Sequence, residues 1–150
     1  MRRHASWMVV MASALLAGCA AMHPRSEHAG KRLDCEGGGE CVVTVNVACL
    51  HFYGCDVSLD YDLLLVQGRG RRTDIVWRLT GDADAEFPAN GIVLDDTEFE
   101  CKPVPEKKQF GCADKHSDFG VFKYRINVTV PESLFGPRGV PPLDPWIVND

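Results

Sequence analysis

The sequence predicts an all-β domain, a two-sheet antiparallel sandwich of about seven strands. Three observations carry that expectation. Apolar residues recur at every second position through several segments, the pattern of strands with one buried and one wet face. Past the N-terminal segment no stretch combines a 3.6-residue apolar stripe with helix caps. Short strand-like runs are separated by Gly, Asp and Pro, which punctuate sandwiches and small barrels.

Taken in order, Val43, Val45 and Val47 share one face of a first strand, with Thr44 and Asn46 on the other. Val57, Leu59, Tyr61, Leu63 and Leu65 alternate with Ser58, Asp60 and Asp62, predicting one continuous half-buried strand. Gly68, Arg69, Gly70, Arg71 and Arg72 form a turn, and Ile75, Trp77 and Leu79 resume the alternation. Shorter strands are expected at 92–94, 98–102 and 109–113. The longest pattern is Phe122, Tyr124, Ile126, Val128 and Val130, interleaved with Lys123, Arg125, Asn127 and Thr129. After it, Pro137, Pro141, Pro142 and Pro145 predict an extended tail that docks Trp146 and Ile147 on the domain. The succession suits an Ig-like or cupredoxin-like sandwich, with a small closed barrel as the alternative.

The N-terminus has a different character. Arg2 and Arg3 precede an apolar segment from Trp7 to Ala17, too short to cross a hydrocarbon core about 30 Å thick, and Leu16-Ala17-Gly18-Cys19 follows it directly. This arrangement resembles a bacterial lipoprotein signal. The resemblance implies cleavage before Cys19, acylation of its thiol and amino group, and anchoring by several chains where one would be marginal. Ala20, where an aspartate would retain the protein in the inner membrane, implies the outer membrane, with the domain facing the periplasm or the cell surface. The expected organisation is a signal over 1–18, anchor and tether over 19–34, and one β-domain over 35–150. As a flexible coil the tether would span about 20 Å.

Cysteine usage agrees with an oxidising compartment. Setting Cys19 aside leaves six, and their spacing pairs Cys35 with Cys41, Cys49 with Cys55, and Cys101 with Cys112. Neither six-residue interval suits zinc, whose ligands usually stand two to four residues apart. The full chain carries a formal charge of −5 and loses Arg2 and Arg3 with the signal, so the remainder stands at −7. That charge and the compartment argue against a nucleic-acid partner.

Residues able to carry chemistry are few. A blue-copper site needs two histidines, a cysteine and an axial methionine, but the domain offers His51 and His116 while Met22 lies in the tether. Asp82, Asp84 and Glu86 imitate the start of a calcium loop, yet Phe87 occupies the glycine position and Val93 that of the bidentate glutamate. Ser117 lies between His116 and Asp118, but neighbours on an extended chain point to opposite faces and cannot relay a proton. Asp60 with Asp62, and Asp95 with Asp96, read as solvated carboxylates. No metal, cofactor or catalytic set is expected.

Two features suit binding. His51, Phe52 and Tyr53 form an aromatic loop tip between Cys49 and Cys55, and Arg69, Arg71 and Arg72 form a basic turn suited to anionic groups. Ile75 to Leu79, Phe87 to Ile92, Phe122 to Tyr124 and Leu143 to Asn149 are similar to segments of small bacterial all-β domains, a resemblance that implies fold and no activity. The expected role is a non-enzymatic envelope lipoprotein whose β-domain is a structural or protein-interaction module. The alternative is an inhibitor of a periplasmic or host hydrolase, although the S-G-x-x-Y motif of lysozyme-blocking lipoproteins is absent; a third is an enzyme or metal carrier.

Overall fold

The computed structural model describes residues 31–50, 54–82, 84–106, 108–131 and 140–150. Strand is the only regular structure assigned among them. Eleven strands follow in chain order: β1 (Arg32–Glu36), β2 (Glu40–Leu50), β3 (Gly54–Leu59), β4 (Leu63–Gln67), β5 (Thr73–Gly81), β6 (Ile92–Val93), β7 (Phe99–Pro103), β8 (Gln109–Asp114), β9 (Gly120–Lys123), β10 (Arg125–Ile126) and β11 (Trp146–Asn149). Sheet I has the order β1-β4-β11-β9, sheet II the order β3-β2-β5-β8-β7, and β6 pairs with β10 alone.

One apolar core joins the sheets. Leu64, Val66 and Ile147 from sheet I and Val43, Val45, Ile75 and Trp77 from sheet II belong to a single buried cluster, all fully removed from solvent. Aromatic rings bridge the layers: Phe99 of β7 meets Phe122 of β9 at 5.0 Å, and Trp77 meets Tyr124 at 5.3 Å. The Trp77 indole N–H also donates to the Tyr124 hydroxyl at 3.2 Å, which pairs two polar groups buried among hydrocarbon. All three expected disulfides are present. Cys49–Cys55 and Cys101–Cys112 join directly opposite residues of the β2–β3 and β7–β8 hairpins. Cys35–Cys41 instead ties β1 in sheet I to β2 in sheet II.

The sheets are mixed, not purely antiparallel. β1 and β11 each run parallel to β4, and β2 runs parallel to β5. The cause is interlacing: the chain visits sheet I in β1, sheet II in β2 and β3, sheet I again in β4, and sheet II in β5. The returns in β4 and β5 enter in the same direction as β1 and β2, whereas the later return in β9 runs opposite to β4 and β11. The eleven strands exceed the expected seven because two long alternating segments are each divided and because β1 and β11 form in stretches expected as tether and tail.

The segment 57–65 changes sheet at residues 60–62. Asp60 causes the break, its Oδ1 accepting the N–H groups of Thr44 and Tyr61, both at 2.9 Å. The break also resets the phase, so Leu64 and Val66 face the core while Leu63 and Leu65 face outward, the reverse of the expected register. The segment 122–130 divides at Tyr124, whose N–H donates to the Pro145 carbonyl. Two further expectations are corrected. Arg32 to Asp34 are not tether but pair in register with Leu63 to Leu65. In the tail Ile147 is fully buried, whereas Trp146 stays 44% exposed because β11 is a strand and adjacent residues take opposite faces.

Candidate functional site

The outward face of sheet I carries or borders three of the five exposed large apolar side chains among the described residues, Phe119, Val121 and Trp146. Its composition follows from alternation within three strands. With Leu64, Val66, Phe122 and Ile147 turned to the core, Leu63, Leu65, Val121 and Trp146 must turn out. Register places them in two rows across the four strands: Arg32, Leu63, Trp146 and Lys123 in one, and Asp34, Leu65, Val148 and Val121 in the next. Val121 is 64% exposed, and Phe119, just before β9, is 62% exposed. Cations frame the apolar strip: Lys123 Nζ lies 5.8 Å from the Trp146 ring centre, and the Arg69 guanidinium lies 4.4 Å over Phe119.

A second constellation is polar and sealed. Asp114 and His116 are fully buried, with Asn149 beside them. Asp114 Oδ1 accepts the His116 N–H at 2.8 Å and the Asn149 amide at 3.2 Å, while His116 Nε2 lies 3.0 Å from the main-chain oxygen of Asp150 and therefore donates to it. Asp114 Oδ2, His116 Nδ1 and Asn149 Oδ1 have no hydrogen-bond partner. Burial pushes the Asp114 carboxyl above its ordinary range; the His116 N–H, the Asn149 amide and the His116 charge oppose that rise without cancelling it. His116 has a φ of 49°, a left-handed conformation held by these bonds.

The neighbouring Glu98 is also buried. Burial alone would raise its carboxyl, but the Ser117 hydroxyl at 2.6 Å, the N–H groups of Ser117 and Asp118, and the Lys115 charge outweigh that and hold it low. Ser117 is thus committed to Glu98, and His116 points to the C-terminal strand. No nucleophile–base pair is assembled, and the cluster locks the loop after β8 to β11.

Among the described residues, those singled out in the sequence do not gather in one place. Cys19, His51, Phe52 and Tyr53 lie outside the described residues. The arginine turn does not act as one patch: Arg69 stacks on Phe119 and donates to the Ser117 carbonyl, whereas Arg72 ion-pairs with Asp74 and Glu100 on sheet II. Arg71 packs its stem by Gly37 and Gly68. Asp82 Oδ1 accepts the Asp84 N–H and Asp96 Oδ1 that of Glu98, so both carboxylates shape turns. Among the described residues no three His, Cys, Asp or Glu side chains are grouped to hold a metal ion.

Sequence reasoning missed the sheet I face, although its signal was present. Leu63-Leu64-Leu65-Val66 and Val121-Phe122 are apolar at successive positions, which on a strand means apolar on both faces. No family model matches the chain, and no curated protein matches it. Among solved structures, the cysteine protease inhibitor EhICP2 of Entamoeba histolytica aligns over 73% of this chain and 94% of its own, at 13% identity and a TM-score of 0.29. At that score neither fold nor activity is carried across.

Proposed function

We propose that the protein is a lipid-anchored module of the bacterial outer membrane, held through Cys19, whose β-domain binds through the outward face of sheet I and has no catalytic role. The observation that carries the reading is the coincidence of Phe119, Val121 and Trp146 on or beside one sheet face, three of the five exposed large apolar side chains among the described residues, the other two, Leu50 and Val93, standing apart on β2 and β6. An exposed apolar strip of this kind, rimmed by charge, marks an interaction surface. The sealing of His116 and the commitment of Ser117 to Glu98 support a binding role over hydrolysis.

Two measurements test the reading. Replacing Cys19 by serine releases the protein from membranes; a processed variant that stays membrane-bound refutes the anchor. A photo-crosslinking residue at position 121 gives adducts in living cells, whereas the same residue at position 78, exposed on sheet II, gives few. Equal yields at both positions refute the face. An inhibitor acting through the 50–53 loop would instead give its adducts there.

A further inference from the structure

We infer that the partner of the sheet I face is the bilayer that holds Cys19, an inference that rests on the lipid-anchor reading above. The first support is where the chain enters the domain. β1 is an edge strand of sheet I, the Lys31 carbonyl accepts the N–H groups of Asp62 and Leu63, and Arg32 opens the row that ends in Trp146 and Lys123. Cys19 stands thirteen residues before Arg32. Even fully extended, those residues reach at most about 45 Å, so the anchor draws the Trp146 row of this sheet toward the membrane.

The second support is chemical. Trp146 beside Lys123 and Phe119 beneath Arg69 both pair an aromatic ring with a cation on an aliphatic stem. At a membrane surface such rings enter the headgroup layer while the cations rise to the phosphates. Leu63, Leu65, Val148 and Val121 form the apolar floor between the two pairs. Two bordering carboxylates are ion-paired, Asp34 with Arg32 and Asp144 with Lys123 and Arg125, which weakens their repulsion from anionic lipid.

The test uses the full chain purified from membranes in detergent, with mass spectrometry of the N-terminal peptide establishing acylation at Cys19. The protein is reconstituted into phosphatidylethanolamine–phosphatidylglycerol vesicles containing lipids brominated near the headgroup. Trp77 is fully buried and supplies a constant background. The inference expects emission that is blue-shifted and quenched by the brominated lipid. Trp146→Phe abolishes that quenching, and Val121→Asp weakens it with the disulfides and far-ultraviolet dichroism intact. Acylated protein whose Trp146 is untouched by brominated lipid but quenched by iodide in the water overturns the docked face and leaves the anchor standing. A preparation without acyl chains on Cys19 overturns the anchor and this inference together.

Discussion

Asp114 and Glu98 show how two neighbouring buried carboxylates take opposite roles. Both are nearly inaccessible, but Glu98 receives three hydrogen bonds from Ser117 and Asp118, whereas Asp114 leaves Oδ2 without a partner. Glu98 is held below its ordinary 4.5, so it stabilises the fold above that value and the contribution disappears as pH falls through the depressed one. Glu98→Gln should therefore cost about 1–2 kcal/mol at neutral pH. Urea unfolding between pH 3 and 7 should show a shallower acid limb in the variant, and an unchanged limb would count against the assignment. Asp114 has the reverse sign. Its proton is favoured in the folded state, so stability is lost as pH rises from 3.8 through the elevated value. Asp114→Asn keeps an oxygen for the His116 N–H and the Asn149 amide without burying a charge. It should gain about 1 kcal/mol at pH 7 and nothing below pH 3.8, measured by the same unfolding series.

At the scale of elements, turns and strand breaks decide where the alternating segments go. Gly81 ends β5 with a φ of 90°, and a Cβ there would stand 2.1 Å from the Val47 carbonyl of β2. Gly81→Ala should cost more than about 2 kcal/mol by thermal or urea unfolding, since both the conformation and the space are denied; a neutral result would refute the close approach. This level also marks how far the sequence could be read. Val43 to Val47 and Ile75 to Leu79 were legible because each strand stays in one sheet with one face on the core. The segment 57–65 was not, because alternation reports inside against outside and is silent on sheet membership and strand direction. Asp60, bonded through its side chain and its N–H to Thr44 sixteen residues back, ends β3 where the chain crosses, and that contact is long-range. The same phase change put Leu63 and Leu65 on the outer face, so the successive apolar residues 63–66 signalled two apolar faces without telling which of them meets the core. The cysteine pairs were readable from spacing, as hairpins and tight turns bring near neighbours together.

For the whole molecule, the question is what joins two sheets that share few backbone bonds. Trp77 with Tyr124 and Phe99 with Phe122 join them through rings, and Cys35–Cys41 joins them covalently. The chain-entropy model gives nearly equal worth to all three disulfides, about 2–3 kcal/mol each, because their loops are all short. Topology separates them. Cys49–Cys55 and Cys101–Cys112 reinforce hairpins that already carry antiparallel ladders within sheet II. β1, by contrast, is an edge strand with a single neighbour, β4, and beside the short backbone turn 37–39 the Cys35–Cys41 bridge is the one disulfide that links it to sheet II among the described residues. Replacing Cys35 and Cys41 by alanine should thus lower global stability by about as much as removing either hairpin bridge, and in addition should strip amide-exchange protection from β1 selectively. Hydrogen exchange read by mass spectrometry checks this: in the double variant peptides over 32–36 exchange well ahead of those over 63–67, whereas removal of Cys49–Cys55 leaves the two peptides in step. Equal protection of β1 and β4 in the Cys35/Cys41 variant would show that the parallel ladder alone holds the edge. If β1 does open, the entry strand of sheet I is fastened chiefly by a bond that only an oxidising compartment maintains.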